Sequence, residues 1–299
     1  MTQNRIALIT GGDAKYYPLI SELIASVRRF PQSSTVDIHV LDAGLTPEQR
    51  NTLHAQNIQT FAPDWPNADI ARRGQGKEYV KACILRPFLR DLVPGYDIYI
   101  WLDGDTWIQD WSAIDLFIRG AETRAMTCTM QVHHAYPKSM RLSWLGPFPF
   151  KPRSFYYSNA RRAFGGAVAR KLFAHNVFLA GAFALHREAP HWDRWQTLIL
   201  QALKRGKLFT AEQLTMGMML HLDKYPVEIL PLWCNWLCGF GVKYDPVAGR
   251  FTEPYLPYQP LGILHLCGFD DMRVDDGVTV DVPWLDGTVH QMSLRFGAV

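Results

Sequence analysis

The sequence predicts an α/β fold: a mixed, mainly parallel central sheet flanked by helices. Three observations carry that reading. The first 61 residues alternate strand, helix, strand, helix, strand, the opening of a doubly wound sheet. Ile98 to Leu102 is apolar without alternation, as in a strand buried on both faces. That run stops at Asp103-Gly104-Asp105, and strand ends of this kind are where open α/β sheets hold ligands.

Taken in order, Ile6 to Thr10 is a strand ending in Gly11-Gly12-Asp13. Leu19, Ile20, Leu23, Ile24 and Val27 recur at helical spacing. Val36 to Leu41 is a second strand, and Thr46-Pro47-Glu48-Gln49 has the N-cap, first-turn proline and return residue of a helix start. Ile58 to Phe61 is a third strand. Asp64 to Gly76 reads as a polar loop, and Lys77 to Leu92 as helical, restarted at Pro87. Beyond the Asp103–Asp105 turn, helices are expected near Trp111 to Ile118, Trp192 to Leu203 and Ala211 to Leu222. Strands are expected near Ala125 to Met130, Asn176 to His186, Val227 to Leu230 and Gly262 to Leu266. Val278 to Val282 and the Asp286-Gly287 turn predict a closing β-hairpin.

The chain has 299 residues, 48% hydrophobic and 20% charged, with a net charge of +3, ordinary globular composition with enough material for a large core. No apolar run approaches the roughly 18–20 residues of a membrane span, and no signal-peptide core follows Met1. Five scattered cysteines read as reduced thiols. A cytoplasmic protein is expected. The charge is uneven: between Glu122 and Glu188 there is no acidic residue, against ten Lys and Arg, including Lys138, Arg161 and Arg162, interleaved with aromatics. This segment is expected to shape an acceptor face for an acidic or phosphorylated ligand, or to rest peripherally on an anionic membrane. No nucleic-acid-binding motif accompanies it, so nucleic acid is not an expected partner.

Asp103 and Asp105 point the same way from a strand end and can share one cation. Their hard oxygens suit Mn²⁺ or Mg²⁺, which would neutralise a departing nucleoside diphosphate. Gly104 lets a ligand approach the backbone. Read alone, Asp-Gly-Asp is also an ordinary turn, Arg86 could equally brace its own helix, and Glu212 and Gln213 could lie on a helix surface. His265, between apolar residues, reads alone as a core histidine. Cys234, Cys238, His265 and Cys267 lack the usual spacing of a zinc site, and buried thiols are the expectation.

The run from Arg86 through Asp105, with Asp42-Ala43-Gly44-Leu45-Thr46 before it, resembles the family-8 glycosyltransferases of the GT-A (Rossmann-like) fold. These include bacterial lipopolysaccharide glucosyl- and galactosyltransferases and the glycogenins. The resemblance extends to about Gly268. It implies a UDP-linked sugar donor, a glycan or glycolipid acceptor and retention of anomeric configuration. For the donor it implies Thr10, Asp13 and Tyr16 at the nucleoside, Arg86 or Lys81 at the diphosphate, and Ala180-Gly181 at the sugar. Asp103 and Asp105 match the metal ligands, and His265-Leu266-Cys267-Gly268 matches the segment supplying the third. Glu212-Gln213 matches the reaction centre and Asn235-Trp236 the acceptor contact. Departures are Leu179 in place of the family's Asn, Glu212 in place of Asp, and Phe269 to Arg273 in place of Lys-Pro-Trp, with Arg273 the candidate replacement for the phosphate-binding lysine. The implied organisation is a catalytic domain over 1–268, with a nucleotide-sugar and metal half (1–130) and an acceptor half (131–268) containing the basic aromatic segment 131–175. A C-terminal extension covers 269–299. The competing readings are a nucleotidyltransferase of the same fold, a haloacid-dehalogenase-like phosphatase using Asp103 and Asp105 with Asp270-Asp271, and a non-catalytic nucleotide-sugar-binding module.

Overall fold

The computed structural model of the protein describes residues 4–136 and 140–297; Met1 to Gln3 and Lys138 of the basic segment lie outside them. The chain opens with β1 (Ile6–Gly12), α1 (Tyr17–Arg28), β2 (Val36–Asp42), α2 (Pro47–Ala55) and β3 (Gln59–Phe61), as the alternation predicts. Thr46 and Gln49 form the expected reciprocal capping box. Residues 64–76 are not all loop: α3 (Ala68–Gly74) forms there, its first turn capped by Asn67 accepting from Ile70 N–H. Only Ile70 and Gly74 of that helix are buried, so it has no apolar stripe to betray it. The stretch to Leu92 is broken as expected, α4 (Lys81–Ile84) and α5 (Leu89–Leu92) flanking a 3₁₀ turn at Arg86–Phe88.

β4 (Ile98–Leu102) is buried along its whole length. After it come β5 (Thr106–Ile108), α6 (Ser112–Glu122) and β6 (Met126–Met130). The basic segment, for which the sequence suggested no elements, forms a hairpin of β7 (Met140–Leu145) and β8 (Phe148–Ser154), then α7 (Phe155–Phe164) and α8 (Gly166–Leu172). β9 (Phe178–His186), α9 (His191–Leu203), α10 (Ala211–His221) and β10 (Val227–Leu230) follow close to expectation. The remainder comprises β11 (Trp236–Leu237), β12 (Lys243–Asp245), β13 (Arg250–Thr252), β14 (Ile263–His265), α11 (Asp270–Val274), β15 (Val280–Pro283) and β16 (Val289–Met292). The last two pair as the predicted hairpin, with Gly287 at φ +92° in its turn.

Seven strands form the central sheet in the order β10-β6-β9-β4-β1-β2-β3. All pairings are parallel except those of β9, which runs against both β4 and β6. Side chains of β4 alternate between two layers. Ile98, Ile100 and Leu102 join α1 and α6 in one core, while Tyr99 and Trp101 join Trp192, Trp195 and the methionines of α10 in the other. Two buried faces explain the unbroken apolar run. Trp101, Trp192, Trp195 and Trp236 are fully buried; each covers about 150–250 Å², roughly 4–6 kcal/mol of burial at about 25 cal/mol per Å².

A second sheet, β11-β14-β5, packs beside the first. Residues 269–297 are not a detached extension. Met272, Val282 and Leu294 share a core with Trp236 and Leu264, Trp107 donates to Leu294 O at 2.8 Å, and Arg295 pairs with Glu22 of α1.

Inside α10, a Cβ on Gly217 would lie 2.2 Å from the hydroxyl of the fully buried Tyr156. Helix propensity favours alanine by about 1 kcal/mol, but overpacking costs about 1–3 kcal/mol. Gly217→Ala is therefore expected to lower the urea midpoint despite the better helix former; an unchanged or raised midpoint contradicts this packing.

Candidate active site

β4 delivers Asp103 and Asp105 to the carboxyl edge of the sheet, and local pairing brings their partner across. β5 begins directly after Asp105 and pairs antiparallel with β14, setting His265 opposite Thr106. Leu266 N–H donates to Asp105 O at 2.9 Å. The His thus arrives by strand register. Among the described residues, Asp103, Asp105 and His265 form a group whose potential ligand atoms all lie within 4.8 Å of one another.

Each carboxylate has one oxygen pinned and the other turned inward. Asp103 Oδ1 accepts from Arg86 Nη2 at 2.5 Å and Trp101 Nε1 at 2.8 Å, while its Oδ2 lies 3.9 Å from His265 Nε2. Asp105 Oδ2 pairs with Arg273 Nη2 at 2.7 Å, while its Oδ1 lies 3.5 Å from the same Nε2. On the far side of the ring, His265 Nδ1 is 3.1 Å from Asn235 Oδ1. That amide oxygen accepts a hydrogen bond from Nδ1–H and leaves Nε2 facing the carboxylates, the arrangement common to metal-binding histidines. Gly181 completes the cradle: a Cβ there would come within 2.5 Å of His265 Cε1 and 2.7 Å of Asp103 Oδ2. The three residues fit a hard divalent cation. Burial would push the Asp105 carboxyl up, but His265 and Arg273 hold it down to about 2. Burial also opposes charge on His265, yet Asp105 outweighs it and raises the imidazole above its ordinary value.

Arg86 is the second organising group. Its side chain is buried, stacked 4.6 Å over the Trp101 ring. Nε donates to Ala82 O, Nη1 to Ala180 O and to Glu212 Oε1 at 2.8 Å, and Nη2 to Asp103. Four of the five guanidinium N–H groups are thereby committed. Arg86 thus braces its own helix through Ala82, and one N–H remains uncommitted by these bonds. Burial disfavours its charge, but Asp103 and Glu212 together raise its pKa. Glu212, on the first turn of α10, is itself buried; desolvation outweighs Arg86 and pushes its carboxyl up to about 7. Gln213 donates through Nε2 to Phe178 O at 2.9 Å, which leaves its Oε1 uncommitted by that bond.

A cavity of about 470 Å³ runs over these groups. Tyr16, Arg86, the Asp103–Asp105 turn, Ala180-Gly181, Glu212-Gln213 and His265 all line it, as does Arg273. Other expected contacts are not at its wall. Thr10 is fully buried within β1 with its hydroxyl unpartnered. Asp13 Oδ1 is occupied by the N–H groups of Lys15 and Tyr16, so it shapes the turn that presents Tyr16. Lys81 donates to Pro63 O and lies over Trp65. Asn235 and Trp236 are fully buried: the first holds His265, the second donates to Gly241 O. Gly268 turns the chain at φ +96° against Gly239. The phosphatase reading loses its late motif, since neither Asp270 nor Asp271 lines the cavity and Asp270 is an exposed partner of Arg273. Sequence reasoning singled out Leu179 but missed the rest of the apolar rim, where Phe155 and Phe240 join the exposed rings of Tyr79 and Phe209. A second cavity, of about 570 Å³ between Arg29, Trp107, Arg250 and Arg295, contains none of the expected residues.

The architecture is the GT-A fold of sugar-transferring enzymes. The galactosyltransferase LgtC, solved with donor and acceptor sugar analogs, superposes with a TM-score of 0.53 at 14% identity over 88% of this chain and 87% of its own. The bifunctional glycosyltransferase WbbM matches with a TM-score of 0.52 at 14% identity over 90% of this chain and 46% of its own. The glycosyltransferase GlyE of Streptococcus pneumoniae TIGR4 matches with a TM-score of 0.50 at 15% identity, over 88% and 54%. No protein-family model and no curated protein matches the sequence.

Two outcomes follow from this geometry. Asn235→Ala is expected to weaken Mn²⁺ affinity by about 10–100-fold, measured by calorimetric titration; unchanged affinity would return Asn235 to a purely packing role. The raised Glu212 pKa means that the folded state disfavours its ionised form. Its contribution to stability is fully present below the ordinary pKa of 4.5 and is lost as pH rises to about 7. Glu212→Gln should flatten that slope of unfolding free energy between the two values, and an unaltered slope would show that Glu212 does not titrate there.

Proposed function

We propose that the protein is a metal-dependent glycosyltransferase. It moves a hexose from a nucleotide sugar, UDP-glucose or UDP-galactose, to a glycan or glycolipid acceptor bearing acidic or phosphate groups, with retention of configuration. The observation that carries this reading is the convergence of Asp103, Asp105 and His265 on one point at the floor of a cavity whose next wall is Glu212-Gln213. The fold shared with enzymes of this class supports it.

Asp103 Oδ2, Asp105 Oδ1 and His265 Nε2 would hold Mn²⁺ or Mg²⁺. When bound, the cation supplies Lewis-acid neutralisation of the departing diphosphate. The chain's own groups do the rest. Arg273, held at Asp105 on the cavity wall with its Nε unpartnered, takes the phosphate contact made by a lysine in the resembling family. Gly104, Ala180 and Gly181 have no bulk to keep a sugar from the backbone. Tyr16 lies at the nucleoside end, its phenol kept neutral by burial and by Asp105, which push it up to about 12. Glu212, desolvated and anchored by Arg86, lies beneath the reacting carbon, with Gln213 Oε1 as a neutral acceptor beside it. In this assignment 1–130 is the donor half, 131–268 the acceptor half and 269–299 an extension that lends Arg273 to the donor site. The reaction takes place in the cytoplasm; among the described residues no helix is long and apolar enough to cross a membrane.

A thermal-shift panel of nucleotide sugars with and without Mn²⁺ tests the assignment. One UDP-sugar is expected to stabilise the protein only when Mn²⁺ is present, by about 2.7 kcal/mol at a hundredfold excess over Kd, and Asp105→Ala should remove the effect. Shifts from simple phosphoesters with none from any nucleotide sugar would overturn it.

A further inference from the structure

Among the described residues strands β7 and β8 pair only with each other, and a two-stranded ribbon has little stability of its own in water. Cross-strand partners share a face, and here they sort by chemistry. Arg141 stands opposite Arg153, and Leu142 opposite Pro152. Met140, Leu142 and Trp144 alternate along the second face, and Leu145 and Phe148 close the tip. All five are exposed, Trp144 by 60%, Leu145 by 69% and Phe148 by 71%. The ribbon is unfavourable in water on two counts: it presents contiguous apolar surface, and it holds like charges directly across a strand pair.

One kind of surface relieves both. A bilayer interface takes up the apolar tip and its indole, while anionic head groups lie between the arginines. A second copy of the chain could cover the apolar side but would leave the arginine pair as it is. An acidic protein would answer the arginines and leave the protruding tip in water. The hairpin is also rooted at the cavity: Gln131 before it and Phe155, the residue directly after β8, both line the wall.

We propose that the β7–β8 hairpin docks the protein on an anionic membrane, its apolar tip entering the lipid interface beside the cavity mouth.

The test sediments the full-length protein with vesicles of phosphatidylcholine, alone or with added phosphatidylglycerol, and measures Mn²⁺-dependent UDP-sugar binding on the same preparations. Wild-type protein should partition onto the anionic vesicles, less so as salt rises. Trp144→Ser with Phe148→Ser should weaken that partition by at least about tenfold, or roughly 1.4 kcal/mol. Arg141→Gln with Arg153→Gln should abolish the preference for anionic over neutral vesicles. Both double variants should keep the wild-type melting temperature and donor binding. Wild-type protein that ignores anionic vesicles at low salt, or a serine variant that binds them equally well, overturns the docking. So does a wild-type dimer that the serine variant converts to monomers without any vesicle binding, since the face is then a self-interface. Vesicle binding without donor binding leaves the docking standing and refutes the enzymatic reading, whereas donor binding without vesicle binding does the reverse.

Discussion

The site depends on a guanidinium in a place where a bare cation would be costly. Arg86 is buried against Trp101 and bonded to both Asp103 and Glu212. Removing one partner of a buried ion pair costs about 3–5 kcal/mol, a large part of the roughly 5–15 kcal/mol that holds a domain folded. The same side chain ties the α4 carbonyl of Ala82 to the β9 carbonyl of Ala180. Four segments distant in sequence are therefore fixed relative to one another by one residue, and the fixing decides which oxygen of Asp103 remains for a ligand.

Arg273 repeats the device on Asp105 from the other end of the chain. With Glu212 ionised and His265 neutral, three carboxylates face two guanidiniums and the floor carries a single net negative charge. A divalent cation turns that sign positive, which is what a diphosphate requires. Burial works in the same direction by holding Glu212 partly protonated near neutrality. On the proposed function, such a floor would hold a cation and a diphosphate together better than either alone.

How much of this was legible in the sequence depends on the kind of signal. Asp103 and Asp105 announced themselves because a two-faced buried strand must be apolar and its end need not be. His265 was visible only through the resemblance, since a β14–β5 register leaves no local mark. Arg86 was found by position, but its partner Glu212 lies 126 residues away, and a side chain's direction is not written in its neighbours. Thr10, Asp13 and Lys81 were expected at the ligand; in the structure Thr10 is buried in β1, Asp13 Oδ1 bonds its own turn, and Lys81 donates to Pro63 O. The β7–β8 hairpin escaped notice because Pro149 and Pro152 argue against a strand and a bulge after Ser143 breaks the alternation. Helix α3 escaped because an exposed helix carries no apolar period.

The reversed direction of β9 has a consequence for how this fold can change. β6 runs toward the cavity edge and β9 runs away from it, so the described residues between Gln131 and Val177 leave the sheet and return to it at one rim. Within that excursion α7 and α8 pack into the core, Tyr156 lying fully buried against α10, so the β7–β8 hairpin is the portion that can lengthen or shorten without shifting the register of a sheet strand. The cavity floor, by contrast, is knitted from strand ends that no insertion can spare. The two sides of the cavity therefore differ in how much change they tolerate, the hairpin rim taking insertions that the floor does not.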